Sequence, residues 1–158
     1  MRDSVRTILE SMDCLTLTAN GGCYWLLEDR LMEFERVADV FEMASNDETA
    51  IDILTVTLNE RTLRAVGRKL TEEVTQEVEE IEGELATGEL KERACEARLH
   101  RTYDLLCKVQ RYENVCGIQM QALHDALERA ATAAALATLQ ASAATVPQDK
   151  PPALTLVA

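Results

Sequence analysis

The sequence predicts a predominantly helical α+β protein. A small ββαβ head with a short N-terminal helix is followed by a long antiparallel helical hairpin with a coiled-coil-like seam. Three observations carry this reading. Apolar and hydroxyl residues alternate ahead of an Asn-Gly pair early in the chain. From Leu63 the apolar residues step by three or four without a miss. The charges of the long helical region are segregated by sign, so that only a fold-back neutralises them. The 158 residues give room for one domain of ordinary size. They divide into a head over 1–58, the helical hairpin over 59–144 and a Pro-containing tail over 145–158 that reads as disordered.

Taken in order, Ser4 to Met12 carry Val5, Ile8 and Met12 on one face of a short helix, with Ser4 as its N-cap. Cys14 to Thr18 alternates as a half-buried strand does, and Cys23 to Leu27 returns after Ala19-Asn-Gly-Gly22, a hairpin turn signal. Glu28 and Asp29 favour the positive end of the next helix, whose buried stripe is Leu31, Phe34, Ala38 and Phe41 and whose end is Ser45-Asn-Asp-Glu48. Ile51 to Leu58 reads as a third strand, with Leu54, Val56 and Leu58 on one face. A strand–helix–strand unit in one sheet makes a right-handed parallel crossover.

Asn59 is a good N-cap for the long stripe Leu63, Val66, Leu70, Val74, Val78, Ile81 and Leu85. Gly88 suits a left-handed stop. A second stripe, Leu90, Ala94, Leu99, Leu106, Val109, Cys116, Met120, Leu123 and Leu127, continues into alanines. Eight acids and no base lie between Leu70 and Leu90, whereas Lys91, Arg93, Arg98 and Arg101 follow. Folding back at Gly88 sets Glu84 near Lys91, Glu77 near Arg98 and Glu73 near Arg101; one straight helix leaves the two blocks apart. Eleven of the 23 residues from Ala122 to Ala144 are alanine, so the packed seam is expected to fade there.

The composition excludes several functions. A net charge of −12 opposes a nucleic-acid binder, which needs clustered Lys and Arg facing phosphates, and opposes an anionic membrane surface equally. No run approaches the roughly 18 apolar residues of a membrane span. The charged start, Arg2, Asp3 and Arg6, is no export signal. Five cysteines with no CxxC pair then read as reduced thiols, and a cytoplasmic location is expected.

No constellation points to catalysis or to a cofactor. His100 and Cys107 lie about two helical turns apart, roughly 10 Å, too far to share a zinc ion with bonds near 2 Å. Cys116 and His124 fail likewise, and Glu96-x-x-x-His100 has no second copy for a dimetal site. Two histidines on one long helix offer no triad, and Gly21-Gly22 lacks the lysine and following helix of a phosphate loop. Arg61, Arg64 and Arg68 share a helix face near the head, where pairing with Glu113 and the sheet edge is expected. The interaction candidates are Tyr24 and Trp25, which point to opposite faces of their strand, and the acidic row Glu72, Glu73, Glu77 and Glu80.

Val5-Arg6, Ile8-Leu9, Leu15-Thr-Leu-Thr18 and Gly21-Gly-Cys-Tyr-Trp-Leu-Leu27 resemble a domain family of unknown function seen in phages and plasmids. That family carries a GGVYFVP-like strand followed by two long helices. Gly21, Gly22 and Tyr24 match, Cys23, Trp25 and Leu26 are apolar replacements, and Leu27 stands in place of the family's proline. The resemblance spans roughly Ser4 to Leu127; it implies the same architecture and transfers no active site.

A non-enzymatic interaction protein or oligomeric scaffold is therefore expected, with itself and another protein as partners and no nucleic acid, membrane, metal or cofactor. The alternative is an acidic inhibitor or regulator whose carboxylate row engages the basic site of a host DNA-processing or defence protein.

Overall fold

The computed structural model describes residues 2–18, 22–45 and 51–145. The fold is predominantly helical α+β, as the periodicities imply. Helix α1 (Arg2–Ser11) starts ahead of Ser4, which lies inside it rather than capping it. The chain then turns at Asp13, whose φ of 59° is the sole positive value on a non-glycine residue described. Strand β1 (Leu15–Thr16) pairs antiparallel with β2 (Tyr24–Trp25), Leu15 opposite Trp25 and Thr16 opposite Tyr24. The predicted Asn20-Gly21 turn lies outside the described residues. A 3₁₀ turn (Glu28–Arg30) leads into α2 (Leu31–Ala44), which ends at Ser45 as its sequence suggests.

The third strand predicted over 51–58 is not formed; those residues are neither helix nor strand, and among the described residues the sheet has two strands. Alternation of Thr and apolar residues supplies a strand's face but not its ladder. Two paired residues on each existing strand leave almost nothing for a third strand to pair with.

Helix α3 (Glu60–Ala86) is capped by Asn59, whose side chain accepts a hydrogen bond from the Thr62 N–H at 3.0 Å. Val66, Leu70, Val74, Val78 and Ile81 are buried, the predicted stripe without its ends. Gly88, at φ 67°, closes the turn, and α4 (Glu92–Cys116) returns antiparallel. The hairpin is zipped by charge in a shifted register. Arg98 reaches Glu84 at 2.5 Å, Arg101 reaches Glu77, and Lys108 reaches Glu73 at 2.5 Å. Each base lies three to seven residues beyond the one expected, one or two turns along the same face, because residues 87–91 form a loop before α4 begins.

The second rod is not continuous. It stops at Gly117, in the left-handed conformation (φ 64°, ψ 28°), and α5 (Gln121–Thr145) turns back against both α3 and α4. The result is a hairpin with a third helix laid along it. One core runs through all three helices and takes in Leu15 and Leu27 of the head. A second, smaller core of Leu9, Met12, Cys14 and Phe34 holds α1 to α2.

Candidate functional site

Between the head and the base of α3 lies a cleft of about 1300 Å³. Its walls are mainly apolar: Val5 and Leu9 of α1, Tyr24, Trp25 and Leu26 around β2, Phe34 of α2, and most of the run after α2, Ile51 to Val56 together with Leu58. The base of α3 contributes Ala65 and Val66, and the end of α4 contributes Val115 and Cys116. The charged groups at the wall are Glu28, Asp52 and Arg61. Among the described residues Arg61 has no ion-pair partner; Arg64 and Arg68 turn instead to Glu60 and Glu72, each at 3.8 Å. Glu113 does not meet the arginines either.

Tyr24 and Trp25 are both half-buried, and they divide between the two cores: Tyr24 against the smaller, Trp25 against the larger. The Trp25 indole Nε1 is buried with no hydrogen-bond partner, a desolvated donor that ordinarily costs about 1–3 kcal/mol. The segment opposite is unusual in the reverse sense. Leu54 is 83% exposed and Val56 53%. Its first residue is tied to α2 by the Ile51 N–H donating to Glu42 Oε1 at 3.0 Å, and its end by the Thr62 hydroxyl donating to the Thr57 carbonyl at 3.3 Å. Among the described residues, the N–H groups between these two points donate no hydrogen bond.

A polar latch fixes the head on α4. Lys108, only 8% exposed, donates to the Cys14 carbonyl at 3.1 Å as well as pairing with Glu73. The fully buried Tyr112 donates its hydroxyl to the Asp13 carbonyl at 2.8 Å, and Arg111 donates to the Asp13 carboxylate at 2.6 Å. Two groups at this latch are held in their protonated forms. Burial outweighs the neighbouring Lys108 ammonium and pushes the Cys14 thiol up to about 12, and burial likewise raises the Tyr112 hydroxyl. Neither supplies an anion near neutral pH. No metal-holding group of three or more His, Cys, Asp or Glu side chains occurs among the described residues.

The acidic row is largely occupied within the chain. Glu73 holds Lys108, Glu77 and Glu80 share Arg101, and the exposed Glu72 pairs with Lys69 at 2.6 Å. Its hydrogen bond from Lys69 holds the Glu72 carboxyl below the usual carboxylate range. Glu79 and Glu82 are exposed and, among the described residues, without an ion pair.

A further polar clamp, missed by sequence reasoning, forms the α4–α5 corner. Glu113 Oε1 accepts from the Met120 N–H at 2.5 Å, and its Oε2 stands 2.8 Å from His124 Nε2. Partial burial pushes the Glu113 carboxyl up, but these hydrogen bonds outweigh it and hold it below the usual carboxylate range. A carboxyl depressed in the folded state contributes stability that is complete above its unfolded value and lost as pH falls through the folded value. Glu113→Gln is therefore expected to lower stability by about 1 kcal/mol at neutral pH, a typical cap loss. The gap to the unsubstituted protein should narrow and close as the solution is acidified through the depressed Glu113 value, which urea titrations from neutral to acid pH would measure.

The amino-acid sequence of this fold has a counterpart among known families. The model of a family described as "Family of unknown function (DUF6744)" matches residues 1–145. The chain belongs to this family. No curated protein and no solved structure matches it. The match to DUF6744 covers the head, the cleft and all three long helices. Among the described residues of this DUF6744 chain, no helix is long and apolar enough to cross a membrane.

Proposed function

We propose that this DUF6744 protein is a non-enzymatic interaction module. It docks an extended, apolar segment of polypeptide in the cleft beneath Tyr24 and Trp25, with the helical hairpin as a stiff arm. The setting we infer is the bacterial cytoplasm and a phage or other mobile element, which the strand motif suggests. The observation that carries the reading is the segment 52–58, where exposed apolar side chains accompany backbone donors that have no acceptor among the described residues. An extended ligand satisfies both, its backbone completing a ladder and its side chains covering Leu54 and Val56.

The acidic-arm reading draws less support, because Glu73, Glu77 and Glu80 already neutralise Lys108 and Arg101. The two readings separate in affinity capture from the native host. Leu54→Ser with Leu58→Ser should abolish capture while leaving helix content unchanged, and Glu79→Lys with Glu82→Lys should leave capture intact. The opposite pattern would reverse the conclusion in favour of the acidic inhibitor.

A further inference from the structure

Residues 53–58 read Ile-Leu-Thr-Val-Thr-Leu, a run of β-branched and apolar residues without charge, proline or glycine. Edge strands in soluble proteins are ordinarily guarded by such residues. Here the guards are missing, the backbone donors of 52–57 find no acceptor among the described residues and Leu54 is 83% exposed. We infer that this segment pairs antiparallel with the same segment of a second copy, about a two-fold axis through Val56.

The register follows from the pattern. A two-fold perpendicular to a strand pair keeps each residue on its own face, so the axis must pass through a residue rather than between two. Centred on Val56, Leu54 lies opposite Leu58, Val56 opposite Val56, and Thr55 opposite Thr57. All the large apolar side chains of 54–58 then gather on one face and the hydroxyls on the other, pairings that stabilise cross-strand contact. Charge points the same way. A chain carrying −12 meets its own copy most favourably through an uncharged surface, and 53–58 supplies one. Because this segment also walls the cleft, a paired copy would add a strand beside it. The inference deepens the docking reading and rests on it, naming another copy of this chain as an occupant of that wall.

Sedimentation velocity on the purified full chain tests it. The protein is expected to run as a dimer at micromolar concentration. Val56→Pro, which removes the central N–H, and Leu54→Lys should each weaken the dimer at least about tenfold, about 1.4 kcal/mol. Val56→Cys, in a background with the exposed Cys23 and Cys107 changed to serine, should form an intermolecular disulfide on oxidation. The two-fold sets position 56 against itself at a Cα separation of about 5 Å. A monomer at all concentrations, or a dimer insensitive to both substitutions and uncrosslinked at 56, would overturn the inference. A monomer whose host capture still depends on Leu54 and Leu58 would overturn the self-pairing alone and leave the docking function standing.

Discussion

Glu73→Ala should lower the stability of the protein by about 3 kcal/mol, whereas Glu72→Ala, one residue away, should leave it nearly unchanged. The difference lies in what each carboxylate faces. Glu72 is exposed and pairs with exposed-side neighbours on its own helix. Glu73 is the counter-ion of Lys108, whose ammonium is buried where α4 meets the head. Removing it leaves that charge with only the Cys14 carbonyl. The cost sits at the lower end of the usual range for a broken buried pair because the Glu73 side chain is itself 35% exposed. For a chain of this size about 3 kcal/mol corresponds to a fall of about 6–12 °C in Tm. Lys108→Met in the Glu73→Leu background should restore much of the loss, since an apolar pair removes the desolvated charge; urea midpoints of the four proteins measure the coupling. A measured equality between Glu72→Ala and Glu73→Ala would show that Lys108 is not buried as described. The same reasoning makes charge reversal at Glu73 or Glu77 a poor probe of partner binding, because it unzips the hairpin.

The long helix of the first arm was legible because its buried positions are all apolar and close in sequence. The face of α4 was not. Thr102, Lys108 and Tyr112 are buried there, and a hydropathy stripe passes over them in favour of Leu99 and Leu106, which lie on the flank. The partners that make burial of Lys108 and Tyr112 tolerable, the Cys14 and Asp13 carbonyls, are more than ninety residues away. Local periodicity carries no record of them.

The break at Gly117 was readable in principle. It has the left-handed conformation that Gly88 adopts, and Glu113 stands four residues before it. The apolar steps from Cys116 to Met120 and Leu123 bridge the break in helical spacing and conceal it. The segment 51–58 shows the converse. Its alternation is that of a strand, but a strand is a property of two segments, and no second segment pairs with it among the described residues. The cleft has no sequence signature at all, since it arises between α1, β2, α3 and that unpaired run.

Leu127→Ala is expected to cost about 3 kcal/mol, and Ala130→Leu about 1–3 kcal/mol, while Leu139→Ala should stay within about 0.5 kcal/mol. Heat or urea unfolding of the three proteins checks the order. Leu127 is 1% exposed in the core shared by all three long helices, and Leu139 is 66% exposed. The alanine-rich composition of α5 suggests a seam that fades, but Ala130 and Ala134 are fully buried. Small side chains let α5 lie close along the hairpin, so its affinity for that surface rests on Leu123 and Leu127 as anchors and on close backbone approach beyond them. Enlarging Ala130 should therefore push the helix outward as surely as truncating Leu127 empties the space beneath it. A destabilisation by truncation alone, with Ala130→Leu tolerated, would mean that α5 sits further from α3 and α4, as a loosely held extension of the second rod.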